Sequence, residues 1–153
     1  MKISLVSLLI ILFCPLFIYA ETMAEPPANF FDFDAGTEWN PFLLESIENL
    51  RWLSETPEVW GTIDWDETGD DIIIERYYFS QTADIEAWDT ANWNNGAGFS
   101  PIGFATFNSL LGELDEILFF GHYDGNNHSI NGLHIAPIRE GAITQMALVF
   151  LVM

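Results

Sequence analysis

The sequence predicts a mainly β fold, the start of a β-helix or solenoid with one short capping helix, which follows an N-terminal signal peptide. Two observations predict the β architecture. Short apolar runs are separated by turn dipeptides such as Asp124-Gly125 and Asn131-Gly132, in which Gly and Asn tolerate positive φ. The apolar positions also change face in the middle of a run, which requires the chain to turn a corner. The layout of residues 1–20 indicates export.

The composition is that of a folded and strongly acidic protein. Half of the 153 residues are hydrophobic and 15% are aromatic, which is too apolar for a disordered chain. Four Lys and Arg stand against 23 Asp and Glu, so the formal net charge is −19. Nucleic acids and anionic membranes are bound by basic surfaces, and the charge therefore argues against both as partners. The charge favours solubility outside a cell, or the binding of divalent cations.

Residues 1–20 have the layout of a secretory signal peptide, with Lys2 before an almost wholly apolar run from Ile3 to Tyr19. Small residues at Ala20 and Ala24 suit cleavage. A retained membrane anchor is the alternative, because the run approaches the ~18 residues that a spanning helix needs. Cleavage predicts an exported protein, secreted or at the cell surface, which has neither a membrane segment nor a cysteine to form disulfides.

The chain after the signal divides into three segments. Residues 21–35 are a linker, within which Phe30 to Phe33 is expected to pack as a first short strand. Residues 36–136 form the partial β-helix domain. Residues 137–153 are an apolar tail that has no turn signals and does not continue the pattern.

One helix is predicted from about Ser46 to Glu55. The hydroxyl of Ser46 can accept from the free N–H groups of the first turn. Leu50 and Leu53 recur at helical spacing and should be buried, and Pro57 ends the helix. In a solenoid this helix would cover the open first coil, because terminal repeats need caps.

Strand and loop segments follow the helix. The run from Ile72 to about Phe79 is rich in β-branched and aromatic residues and predicts a strand, which Ala83 to Ile85 extends. The Asn- and Gly-rich run from Asp89 to Gly98 predicts a loop, with Trp88 and Trp93 as its anchors.

The run from Asn108 to Leu118 is ambiguous. Its apolar residues have helical spacing and Asn108 can cap, which favours a short helix. A loop that leads into a strand from Ile117 remains open.

The corner in the chain is predicted from the parity of three apolar residues. Ile130 stands at an even position, whereas Leu133 and Ile135 stand at odd ones, so one straight strand would send them to opposite faces. A bend at Asn131-Gly132 lets all three point into one core. Such behaviour is typical of a coil wound from several short sheets, as in a β-helix.

The order of these motifs resembles that of bacterial surface proteins with GLUG-type repeats, whose related modules occur beside immunoglobulin-A metallopeptidases and in adhesin-like proteins. The resemblance implies a right-handed parallel β-helix, export and a cell-surface role. It implies no known ligand. The matching pieces are Gly36 to Leu53, Tyr77 to Ile85, Trp93 to Gly103 and Tyr123 to Leu133.

The chain departs from the family pattern at two places. The stretch from Phe104 to Leu118 is longer than the usual connector, and further repeats would be expected where residues 137–153 stand. About three or more solenoid repeats are usually needed for stability. We therefore expect a truncated N-terminal fragment of a longer surface protein.

An acidic stretch matches the spacing of a calcium-binding loop. Asp64, Asp66, Thr68 and Asp70 stand at alternate positions, and Glu75 follows at the distal one. These oxygens could wrap one Ca²⁺. The alternative is a solvated acidic loop, because Thr68 replaces the usual Asp or Asn and the flanks are not two helices. No other cofactor is expected.

The leading interpretation is an exported structural or adhesive module without catalytic activity. No His-Glu-x-x-His motif is present, so the metallopeptidase chemistry of the related large proteins is not expected. Paired carboxylates and six Trp leave a second interpretation open, an accessory glycan-binding or glycan-cleaving domain. A decayed gene fragment without function is the third. The expected partner is a host, glycan or envelope surface.

Overall fold

The computed structural model describes residues 22–65, 68–69, 72–108, 113–136 and 145–147. Within them the fold is mainly β with one α-helix. No described helix is long and apolar enough to cross a membrane. The predicted signal peptide and most of the apolar tail lie outside these residues. The elements in chain order are β1 (Phe42–Leu44), α1 (Ile47–Glu55), β2 (Thr62–Trp65), β3 (Ile72–Glu75), β4 (Tyr78–Gln81), β5 (Ile85–Glu86), β6 (Phe104–Asn108), β7 (Glu113–Ile117), β8 (His122–Asp124), β9 (Ile130–Asn131) and β10 (Gln145–Ala147).

Two stacks of parallel strands form the centre of the fold. The first has the order β1-β4-β8, with Phe42 opposite Phe79 and Phe79 opposite Tyr123. The second pairs β5 with β9, with Ile85 opposite Ile130. The chain passes from β4 to β5 and later from β8 to β9, so both passes run along the first stack, turn a corner and enter the second. The described residues do not close either pass into a complete coil.

The core lies on the inner face of the first stack. Strand β1 alternates, so that Phe42 and Leu44 are buried and Leu43 is exposed. The rings of Phe42 and Phe79 lie 5.5 Å apart in a tilted arrangement, and Trp52 meets Phe42 edge-on at 5.6 Å. In-register parallel pairing thus places aromatic side chains above one another, and their burial is the main source of stability here.

Helix α1 confirms the predicted helix and joins two apolar clusters. The hydroxyl of Ser46 accepts from the Asn49 amide at 3.3 Å, as an N-cap does. Leu53 packs in the cluster of the first stack, and Leu50 packs with Trp93 and other residues beside the second. The helix therefore packs against side chains from both stacks.

The expected strand at Phe30 to Phe33 is wrong. This segment is a series of turns, in which the Phe30 amide donates to Pro27 O at 2.9 Å and the Asp32 amide to Asn29 O at 3.0 Å. These hydrogen bonds join residues three apart in the chain. They use the N–H and C=O groups that a strand would need for pairing with a neighbouring strand. Phe30 packs against the core, but Phe31 and Phe33 are exposed.

The predicted strand from Ile72 to Phe79 is in fact two strands. Strand β3 pairs antiparallel with β2 in a hairpin, whereas β4 joins the parallel stack. The break falls at Arg76 and Tyr77. Ala83 to Ile85 does not extend β4 either, because the chain turns there and β5 begins at Ile85. Both breaks follow from the partners that each piece pairs with, which local composition does not specify.

The predicted helix from Asn108 to Leu118 is also wrong. Strand β7 occupies Glu113–Ile117 and pairs antiparallel with β6, which pairs on its other edge with β10. Leu114 and Ile117 are three residues apart, as in a helix, but pairing with β6 across the sheet overrode this local signal. Two 3₁₀ helices, Trp88–Asn92 and Asn94–Gly96, occupy most of the predicted loop from Asp89 to Gly98, and the first begins one residue before it.

Candidate functional site

The predicted turn residues lie at the two ends of the second parallel stack: Asp124 and Gly125 at the corner between β8 and β9, and Asn131 and Gly132 at the end of β9. We call the outer surface formed there by residues 80–88 and 124–132 the corner surface. It joins one pass of the chain to the next through side chains, and it carries an exposed tryptophan.

The first turn of the corner surface follows β8. The amide of His128 donates to Gly125 O at 2.7 Å, and Asn126 and Asn127 between them have positive φ of 46° and 61°. The Asp124 carboxylate accepts from the Asn126 amide at 2.9 Å, which closes an Asx turn. Asp124 and Gly125 are thus in the turn, but the left-handed residues are the two asparagines that follow.

Side chains of this turn bind the preceding pass of the chain. The Asn126 amide group donates to Gln81 O at 3.1 Å and also to the Ser80 hydroxyl. The Ser129 amide donates to Asp84 Oδ1 at 2.8 Å. These bonds fix the register of the second pass on the first, because each joins a residue at the corner of one pass to the corner of the next.

Asp84 is held in its ionised form by these contacts. The pKa of Asp84 is lowered, chiefly by the hydrogen bond from the Ser129 backbone and less by its side chain and by nearby His128. The His128 Nδ1 atom lies 3.5 Å from Asp84 Oδ1. Because Asp84 is exposed, the effect is a local one on the turn rather than a large source of stability.

A buried polar pair lies beneath the corner surface. The Gln81 residue is 1% exposed, and its side-chain amide donates to Ala83 O at 2.8 Å and Ser129 O at 3.0 Å. Its Oε1 atom accepts from the Tyr123 hydroxyl at 2.8 Å, and burial raises the pKa of Tyr123 to about 12. All hydrogen-bonding groups of the amide are therefore used inside the fold, as a buried polar side chain requires.

The second turn of the corner surface carries Trp88. The chain bends at Gly132, which has φ of 72°, directly after β9. A Cβ atom on Gly132 would clash with Cδ2 of Trp88, so the indole lies against this glycine. Asn131 donates from its side chain to Glu86 Oε1 at 2.8 Å, and Trp88 Nε1 donates to Glu86 Oε2 at 2.7 Å.

Only part of the predicted corner core is buried. Ile130 and Leu133 pack against the cluster of Leu50, Trp93 and Phe99, as the bend predicts. Ile135 is exposed, so the expectation that all three apolar residues share one core is wrong for this residue. Its backbone forms an antiparallel bridge with Gly98 instead, outside the parallel stacks.

The two tryptophans that were expected to anchor the loop differ in their burial. Trp93 is buried in the second cluster, whereas the Trp88 residue is 67% exposed. The sequence contains no signal for this difference, because Trp93 stands in the Asn- and Gly-rich segment and Trp88 directly precedes it. The roles of Gln81 and Glu86 were also not predicted, since each of them has partners more than 40 residues away along the chain.

The candidate calcium ligands lie in and beside the β2–β3 hairpin. Asp64 is on β2 and Glu75 is on β3, two positions out of register with each other, so they are diagonal neighbours on one face. Thr68 is exposed in the connecting segment, and Asp66 and Asp70 lie outside the described residues. The flanks are two strands rather than two helices, and the calcium site stays a hypothesis.

The described part of the chain contains no group of three or more His, Cys, Asp or Glu that could hold a metal ion. The three histidines have separate surroundings. The His122 ring lies 5.6 Å from that of Tyr78, His128 faces Asp84, and His134 donates its backbone N–H to the Thr90 hydroxyl.

No protein-family model matches the chain, and no solved structure matches it. The chain is similar to Halomucin of Haloquadratum walsbyi, to which it is 27% identical over 107 residues. That region is 70% of this chain but 1% of Halomucin, so the chain spans a very small part of the length of this relative.

Proposed function

We propose that the chain is an exported structural or adhesive module of the cell surface, without catalytic activity, built on the start of a right-handed parallel β-helix. One observation carries this proposal. The β4–β5 pass and the β8–β9 pass follow the same path, pair in parallel along both stacks and are joined by hydrogen bonds at their corners. Successive repeats that each contact their neighbour are the architecture of a solenoid.

The surface role is supported by three independent features. The sequence has a signal-peptide layout at residues 1–20, the similarity to Halomucin fits such a location, and the strong acidity favours solubility outside a cell. We propose further that the repeat is of the GLUG type, on the motifs that include Tyr123 to Leu133. An accessory glycan-binding role is the second candidate, and the exposed indole of Trp88 favours it.

Export is tested by expressing the whole chain with a C-terminal tag in a bacterial host and separating cytoplasm, envelope and medium. We expect the tagged protein in the envelope or medium, with an N-terminus near Ala20 by mass spectrometry. The control is Leu9→Asp, which interrupts the apolar run and should keep the protein in the cytoplasm. Equal retention of both proteins in the cytoplasm would contradict the proposal.

A further inference from the structure

We propose that the exposed face of Trp88 is a binding site for a neutral polysaccharide, one pyranose ring of which stacks on the indole. This inference deepens the second candidate function, an accessory glycan-binding role, and rests on it, but it does not depend on the structural role or on export. The starting observation is that the Trp88 residue is 67% exposed although its position is defined by contacts on two sides. Tryptophan is enriched at binding interfaces, where its N–H is hydrogen-bonded and its apolar face is open for contact.

The indole is held in place before any ligand binds. Its Nε1 atom donates to Glu86 Oε2 at 2.7 Å, and the other oxygen of Glu86 accepts from the Asn131 side chain at 2.8 Å. The ring lies against Gly132, which has no Cβ to keep it away. A ring already fixed by a hydrogen bond and a close backbone contact loses little conformational entropy when a ligand stacks on it.

The indole face and the polar groups near it suit a sugar as the ligand. The face of an indole is electron-rich, and the polarised C–H groups on one face of a pyranose are attracted to it. Glu86, whose carboxylate binds the indole N–H, is exposed, and so is Asp89, the next residue after Trp88 in the chain. Carboxylate oxygens can accept from sugar hydroxyls. The combination of an apolar face and an accepting polar rim fits a pyranose better than a purely apolar ligand.

The charge of the protein narrows the class of polysaccharide that can bind. The chain has a formal net charge of −19, and Glu86 and Asp89, which stand close to Trp88 in the sequence, are both acidic. Polymers of uronic or sialic acids would bring like charges together, which opposes binding. A neutral, β-linked polymer of glucose or galactose exposes C–H-rich ring faces without this penalty.

Binding is tested by calorimetry on the exported chain with three probes, cellohexaose, β-1,4-galactohexaose and tetragalacturonate. We expect at least one neutral hexaose to bind and the anionic probe not to bind. Trp88→Ala should lower the affinity roughly tenfold or more, the loss of one stacking contact. The matched control is Trp39→Ala, which removes another exposed indole and should leave the affinity unchanged.

A second measurement keeps the proposal testable if Trp88→Ala fails to fold. N-bromosuccinimide oxidises accessible indoles, and peptide mass spectrometry identifies which tryptophans react. The binding hexaose should protect Trp88 several-fold and leave the oxidation of Trp39 unchanged. The proposal is overturned if neither neutral hexaose binds, if Trp88→Ala binds as tightly as the natural protein, or if Trp88 is not protected. None of these results bears on export, which is measured by fractionation.

Discussion

The hydroxyl of Tyr123 donates a 2.8 Å hydrogen bond to the side-chain oxygen of Gln81, and the amide of Gln81 in turn binds two backbone carbonyls across the corner. The pair therefore links β4 to β8 side by side and also reaches the turn that leads into β9. A polar pair in this position makes the register of the two passes specific, because a shift of one residue would leave buried groups without partners.

Replacing Gln81 should destabilise the protein measurably. Gln81→Met keeps a similar length but removes the acceptor of the buried Tyr123 hydroxyl and the donors to Ala83 O and Ser129 O. We expect the free energy of unfolding to fall by about 1–3 kcal/mol, measured by urea denaturation. The exposed neighbour Thr82 supplies the control, Thr82→Ala, which should change it by less than ~0.5 kcal/mol. Equal effects of the two changes would contradict the role of this amide.

Stability should fall at high pH because of Tyr123. Burial raises the pKa of this phenol in the folded state to about 12, from the ordinary value of 10.0. The folded state thus favours the neutral phenol, whose contribution is complete below the unfolded pKa and is lost as the pH rises towards about 12. Thermal melting between pH 9 and pH 12 tests this. Tyr123→Phe should melt with a smaller pH dependence over that interval, and an unchanged dependence would contradict the prediction.

Two glycines of the corner surface should respond differently to alanine. Gly132 has φ of 72° and lies against the Trp88 ring, so Gly132→Ala strains the backbone and displaces the indole. We expect a loss of about 1–3 kcal/mol. Gly125 has no positive φ, and no atom lies within 4 Å of its added Cβ, so Gly125→Ala should be close to neutral. Similar losses at both positions, by denaturant unfolding, would show that the assigned turn geometry is wrong.

The parallel register of β4 and β8 can be tested by cross-linking. Ser80 lies opposite Asp124 on the outer side of the first stack, so Ser80→Cys with Asp124→Cys should form a disulfide on mild oxidation. The control is Ser80→Cys with His122→Cys, which is two residues out of register and too far apart to bridge. Chymotrypsin cleaves between the two positions, and mass spectrometry of the unreduced chymotryptic peptides identifies the bond. Preferential cross-linking of the control pair would refute the register.

The calcium hypothesis predicts a heat of binding when Ca²⁺ is titrated into the protein. Asp64→Ala should abolish that heat, because Asp64 is the first ligand of the proposed loop. The exposed Asp32 gives the control, Asp32→Ala, which lies outside the loop and should bind as before. Equal binding by natural protein and Asp64→Ala would remove this site.

The sequence by itself determined the features that depend on a few adjacent residues. Ser46 caps a helix because its hydroxyl reaches the amide of Asn49 three residues on, and Pro57 lacks the N–H that would continue it. The bend after β9 follows from Asn131-Gly132 and from the parity of Ile130 and Leu133. Such signals are local, so no distant partner is needed to interpret them.

Only the tertiary structure decided the features that depend on pairing across the chain. Glu113–Ile117 is a strand rather than part of a helix because β6 supplies its hydrogen bonds, and the run from Ile72 divides where its pieces meet different neighbours. Gln81 and Trp88 received their roles in the same way, from Tyr123 and from Gly132. Burial and exposure are set by residues more than 40 positions away, and no local pattern records those distances.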